Sequence, residues 1–176
     1  NVRIRFRQFE PSDDWWMSLD NVLVATVPLL RGSRALLEES FTDDIPPDWI
    51  ADSATGLAPW RVPDLCNISR LHSNGGIFPD AADGRQMHHL DNEFAHVFGD
   101  ETCAPQVQDE KLITPVLDCS GTTAVYLQFQ SDIVTTTAVA EVLVSTDGGA
   151  TFDTANPLFS YNRGAGIYSD VGNAEA

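Results

Sequence analysis

Val2-Arg3-Ile4-Arg5-Phe6-Arg7 alternates apolar and cationic residues without a break. A period of two puts Val2, Ile4 and Phe6 on one face of a sheet and Arg3, Arg5 and Arg7 on the other, which makes a half-buried strand. After the turn-like Glu10-Pro11-Ser12-Asp13-Asp14 comes Trp15-Trp16-Met17-Ser18-Leu19-Asp20-Asn21-Val22-Leu23-Val24, aromatic and β-branched enough to be the next strand, antiparallel to the first. Residues 25–35 hold Pro28, Gly32 and Ser33 and form a connector.

Leu36 to Phe41 predicts a short strand that ends in the proline-bearing acidic run Asp43-Asp44-Ile45-Pro46-Pro47-Asp48. From about 51 to 92 no periodicity holds, and Gly, Pro, Asp, Asn and Ser recur, so a long irregular insertion with one or two short strands is expected. Strand signal returns at Phe94–Phe98, Leu112–Leu117, Ala124–Gln130, Val139–Ser145 and Thr151–Phe159, between turn residues such as Asp147-Gly148-Gly149. No stretch has the pattern of an amphipathic helix. The expected fold is all-β, a two-sheet antiparallel sandwich of jelly-roll type. It divides into a terminal strand pair (1–24), a connector (25–35) and a main body (36–176).

The chain has 176 residues, 43% of them hydrophobic and 20% charged, which fits one globular domain. It lacks any run of eighteen apolar residues, so no membrane insertion is expected. The start carries neither an initiator Met nor a signal-peptide pattern, as expected of a piece cut from something longer. A formal charge of −16 repels phosphate backbones and argues against nucleic acid as a partner. That charge is uneven: residues 1–34 carry +1 and residues 35–176 carry −17. A mildly basic arm on a strongly acidic body is steered onto its own body or onto a neighbour's.

Three cysteines, Cys66, Cys103 and Cys119, form no C-x-x-C pair. A Cys66–Cys103 disulfide is expected, since both lie in loop-like sequence while Cys119 borders a strand; three unpaired thiols are the alternative. Low Lys, high Asp and Thr, and the acceptor triplet Asn67-Ile68-Ser69 point to an extracellular or cell-surface setting.

Several segments resemble the extracellular jelly-roll modules grouped as MAM-like, cleaved-adhesin and choice-of-anchor domains. Leu36-Leu37-Glu38-Glu39-Ser40-Phe41 with Ile45-Pro46-Pro47-Asp48-Trp49 is similar to that family's opening strand. Leu112 to Gly121 resembles its L-x-[ST]-P-x-[IL]-D-x-S-G segment, and Val142 to Phe152 its V-S-x-D-G-G-x-T-W hairpin, with Phe at the aromatic position. The family's closing pair, an arginine strand followed by D-x-W-W-x-[IL]-D-N-[VI], is similar to Val2–Phe6 and Asp13–Val22, at the opposite end of the chain. The order is thus circularly permuted, and Asp170–Ala176 runs into Asn1–Phe6 as if 176 residues were one period of an array. The resemblance touches most of the chain outside 51–92. It implies a bound calcium ion, with Glu39 and Asp20 as the foremost ligands and Asp43 and Asp100 after them.

A sandwich without its last two strands exposes core and open edges, so residues 1–24 must fill that gap. They either fold back into their own body or insert into the preceding copy by strand complementation, giving a head-to-tail fibre. The eleven-residue connector reaches at most about 36 Å and permits both. Complementary charge favours the intermolecular arrangement, with Val2, Ile4, Phe6, Arg3, Arg5, Arg7, Trp15 and Trp16 as its assembly residues.

Catalysis is not expected. His72, His88, His89 and His96 form no H-E-x-x-H, no G-x-S-x-G occurs, and Asp91 with Glu93 is too slender a hint of paired acids. Trp15 and Trp16 point to opposite faces of one strand, one into the core and the other toward a neighbouring subunit or a sugar. Trp49 and Trp60 are expected to cover the sandwich edge. Arg3, Arg5 and Arg7 are expected to pair with carboxylates on an adjacent strand or subunit. The function expected is a non-catalytic extracellular structural module, with copies of itself as partners. The alternative is a glycan-binding or adhesion module of a larger secreted protein.

Overall fold

The computed structural model describes residues 1–11, 16–26, 34–42, 44–54, 60, 62, 95–98, 107–135, 138–161 and 166–175. Its strands are β1 (Arg3–Pro11), β2 (Trp16–Ala25), β3 (Ala35–Glu39), β4 (Ile50–Ser53), β5 (Ala95–Phe98), β6 (Val107–Ile113), β7 (Tyr126–Thr135), β8 (Val139–Ser145), β9 (Phe159–Tyr161) and β10 (Gly166–Glu175). They form two antiparallel sheets, one ordered β4-β6-β1-β8-β9 and the other β10-β7-β2-β3, with β5 also paired to β2. Among the described residues no helix is long and apolar enough to cross a membrane. The fold is an all-β sandwich.

The alternation that opens the chain decides where β1 sits. Ile4, Phe6 and Gln8 are buried while Arg3, Arg5 and Arg7 are half-buried on the other face. Phe6 meets Phe129 of β7 edge-on, with ring centroids 5.5 Å apart, and so ties one sheet to the other. Phe129 in turn meets Phe159 of β9 at 6.2 Å. Met17, Leu19, Val22 and Val24 of β2, Leu112 of β6 and Val142 of β8 complete the same core. Burying a side chain as large as Phe6 stabilises the fold by about 1.5–3 kcal/mol relative to exposure.

Both N-terminal strands are placed in the body of their own chain. β1 is hydrogen-bonded to β6 on one side and β8 on the other, with Phe6 opposite both Leu112 and Val142. β2 lies between β7 and the pair β3 and β5. The connector is closed at its base, where the Thr26 N–H donates to the Arg34 carbonyl at 3.1 Å. The fold-back arrangement is therefore the one the single chain adopts, and β1 supplies a central strand to one sheet as β2 does to the other.

Several boundaries differ from those the sequence predicts. Leu112–Leu117 is the end of a longer strand, β6, which starts at Val107 and stops at Ile113. Pro115, which has no N–H to donate, follows, and Val2 and Leu117 then bond each other's backbone. Residues 151–158 are not a strand: Asp153 accepts hydrogen bonds from the N–H groups of Ala155 and Asn156 and turns the chain, so that segment touches β8 through single bonds from the Asp153 and Leu158 N–H groups, and the paired strand is Phe159–Tyr161. β7 continues five residues beyond Gln130, and β10 forms where the sequence predicts no strand. Trp49 and Trp60 belong to the central core cluster and do not merely cover an edge. Trp49 packs edge-on against Phe41 at 5.3 Å.

Register also fixes how the two ends of the path relate. The start of β1 lies beside the end of β6, since Arg5 faces Ile113. The end of β10 lies beside the start of β7, since Glu175 faces Tyr126. Residues 114–125 join the end of β6 to the start of β7, so both points fall at the same end of the sandwich.

Candidate functional site

The outer face of β1 carries a graded row of arginines. Arg7 is the satisfied member: its Nε donates to Asp109 Oδ1 at 2.6 Å, its Nη1 is 3.6 Å from Glu141 Oε2, and its guanidinium lies 3.9 Å from the Phe9 ring centroid. Lys111 extends the network, 3.1 Å from Asp52 and 3.3 Å from Asp109. Register makes this possible, because Arg7 is opposite Lys111 on β6 and Glu141 on β8, while Asp52 of β4 is opposite Lys111. Burial raises the Asp109 carboxyl, but the Arg7 hydrogen bond and charge, helped by Lys111, bring it below its ordinary value. Burial pushes Glu141 up, and the more distant Arg7 contact does not reverse this.

Arg5 lies over the ring of Phe152, 4.3 Å from its centroid. Burial, and then the charge of Arg7, lower the pKa of its guanidinium. Arg3 packs against the turn after β8, where a Cβ on Gly149 would come within 2.8 Å of Arg3 Cδ. The Nε atoms of Arg3 and Arg5 are buried and, among the described residues, have no hydrogen-bond partner. Among the described residues the ion pairs of this face belong to Arg7 and Lys111.

A second feature is a cleft of about 440 Å³ where β2 meets β3, lined by Asn21, Val22, Leu23, Glu38, Glu39, Ser40 and Gln128. Asn21 has φ of 48° and Phe41, beside the cleft, 49°, a conformation that is strained for a buried Phe. The bulge between Asp20 and Leu23 creates the local bend. Asn21 Nδ2 reaches across to Gln130 Oε1 at 2.8 Å.

Of the expected calcium ligands, Glu39 and Asp20 are in this region. Glu39 Oε1 accepts from the Phe41 N–H at 2.7 Å, and the buried Asp20 accepts from the Asn21 N–H at 2.7 Å and from Asn21 Nδ2 at 3.3 Å. Among the described residues no group of three or more His, Cys, Asp or Glu side chains is placed to hold a metal ion. Asp43 and Asp100 lie outside the described residues, as do Trp15, Cys66, Cys103, Asn67, His72, His88 and His89. Cys119 is a free thiol, and burial pushes its pKa up.

No protein-family model matches this chain. No curated protein and no solved structure is significantly similar to it either. The arrangement of the two faces therefore carries the functional reading. Alternation marks all three arginines in the sequence but not their unequal partners, which depend on where Asp109, Lys111 and Glu141 come to lie. Glu39, and Asn21 with its neighbour Asp20, point to the cleft in the sequence, whereas Gln128 carries no motif.

Proposed function

We propose that the protein is a non-catalytic extracellular structural module of the jelly-roll type that assembles head to tail into a fibre or array. The observation that carries this reading is the position of β1 and β2. One N-terminal segment supplies a central strand to each of the two sheets and joins the rest of the molecule only through the connector. Moving that pair from its own body to the next copy would exchange identical contacts, so the connector and the protein concentration set the balance between a closed unit and a chain of copies. A pair given to the next copy and accepted from the previous one does not close on itself, and the product is an open filament.

Light scattering coupled to size-exclusion chromatography tests the reading. A concentration series should show multiples of 19.2 kDa. A single 19.2 kDa species at every concentration would overturn it. The cleft at β2 and β3, with its carboxylates and carboxamides, is the feature that favours the glycan-binding alternative. Among the described residues no aromatic ring lines it to stack on a sugar, and for that reason it ranks second.

A further inference from the structure

The geometry points to the outer face of β1 as a docking surface for a second copy of this chain, which presents its Glu38–Glu39 cleft to Arg3 and Arg5. This deepens the proposed self-assembly and rests on it, but it needs no strand to leave its own body.

The face has the composition of an interface core. Ile50 of β4, Ile113 of β6 and Arg5 of β1 stand in one row across three strands, while Leu143 of β8, which continues the row, is fully buried. Alternation puts them on the outer side, because Leu112, Phe6 and Val142 face the core. Ile50 is 44% exposed and Val116 45%, and these are the large exposed hydrophobics among the described residues. Val116 alternates with the buried Leu117, which bonds Val2, and so falls on the same side, at the Arg3 end. Apolar side chains and a ring around two arginines are what protein interfaces concentrate.

The charges select the occupant. Among the described residues the carboxylates of this face are Asp52 and Asp109, bonded by Lys111 and Arg7, and the buried Glu141, which lies 3.6 Å from Arg7. Placing the face against its own copy about a two-fold axis through β1 would set Arg3 and Arg5 near Arg3 and Arg5, and among the described residues the most accessible carboxylate of the face, Asp52, is already bonded to Lys111. A heterologous contact avoids that repulsion, the partner bringing acceptors from elsewhere on its surface. Glu38 and Glu39 are on β3, at the edge of the other sheet, in a cleft whose remaining polar lining is Asn21, Ser40 and Gln128. Among the described residues that cleft offers acceptors and no cationic side chain. Guanidiniums on one sheet and acceptors on the opposite sheet give a contact that repeats from copy to copy.

Sedimentation velocity on three proteins tests this: the parent chain, Arg3→Glu/Arg5→Glu, and Glu38→Lys/Glu39→Lys. The parent should associate at low salt and weaken at least about tenfold near 0.5 M NaCl, where screening shortens to about 4 Å. Each double variant should be monomeric alone, since its face and cleft then carry the same sign, and an equimolar mixture should associate again. Arg3→Lys/Arg5→Lys should keep the association, and circular dichroism with thermal melts establishes that every variant is folded. If the parent assembles and both double variants assemble as it does, the docking face is overturned while head-to-tail assembly stands. Monomeric variants whose mixture stays monomeric overturn the pairing of this face with this cleft. A parent that is monomeric at every salt and concentration overturns both readings.

Discussion

Arg7 sits between two carboxylates that respond to it differently. Asp109, at 2.6 Å, is held below its ordinary value, whereas Glu141, at 3.6 Å and buried, is held above it. The two have opposite signs in stability. The lowered Asp109 stabilises the fold above its unfolded pKa of about 3.9, and that contribution disappears as pH falls through the folded value. The raised Glu141 binds its proton more tightly when folded, so it costs stability as pH rises from its unfolded pKa through its folded one. Replacing Arg7 by Gln removes the cation from both. Carboxylate titrations followed by NMR should then show the Asp109 midpoint moving up and the Glu141 midpoint moving further up. Urea unfolding at pH 7 should show a loss of about 1–2 kcal/mol. An Asp109 midpoint that does not move would refute the role given to Arg7.

The turn between β8 and the segment leading to β9 shows how one element is held by its neighbour. Ser145 Oγ accepts from the Gly149 N–H at 2.7 Å and donates to Asp147 Oδ1 at 2.6 Å, while Asp147 also accepts from the Thr151 N–H and hydroxyl. Those bonds, Ser145 first, keep Asp147 ionised far below the ordinary carboxylate range. Gly149 has φ of 99° and lies under Arg3, whereas Gly121 has φ of 73° and open space within 4 Å of where a Cβ would stand. Gly121→Ala should therefore cost only the left-handed penalty of about 1–2 kcal/mol. Gly149→Ala meets both strain and the Arg3 stem and should cost about 1–3 kcal/mol, more than its counterpart. Equal losses in chemical denaturation would show that Arg3 moves away without cost.

Elements of this kind differ in how much of them the sequence discloses. β1 is legible because Ile4 and Phe6 alternate with arginines, and β8 because it is apolar over most of its length. The first half of β6, Val107 to Glu110, reads as loop because Gln108, Asp109 and Glu110 are polar. Its strand state depends on partners distant in sequence: Arg7 for Asp109, and Ser53, whose hydroxyl donates to Glu110 Oε1 at 2.8 Å. Phe152 suggests a strand by its type and instead lies under Arg5. The arginine face is legible as a row, but which members lack carboxylates follows from register, which a single sequence does not display.

For the molecule as a whole, the decisive relation is that the end of β10 and the start of β1 fall at one end of the sandwich. β2 also ends there, since Ala25 faces Tyr126, and β3 starts beside it, since Ala25 faces Ala35. The chain can therefore be opened between Thr26 and Arg34 and rejoined from β10 to β1 without moving a strand. Among the described residues, such a chain, starting at Arg34 and finishing at Thr26, puts at risk the closing hydrogen bonds between those two residues. Loop-closure entropy changes slowly with length, so linkers of about 4 and about 12 residues should differ by only about 1 kcal/mol. Both permuted proteins should unfold in urea within about 2 kcal/mol of the parent, with the same strand content by circular dichroism. If the long linker folds and the short one does not, the two strand ends are further apart than their register places them. If neither folds, β1 and β2 need their present attachment, and the strand order inferred for an array of copies is wrong.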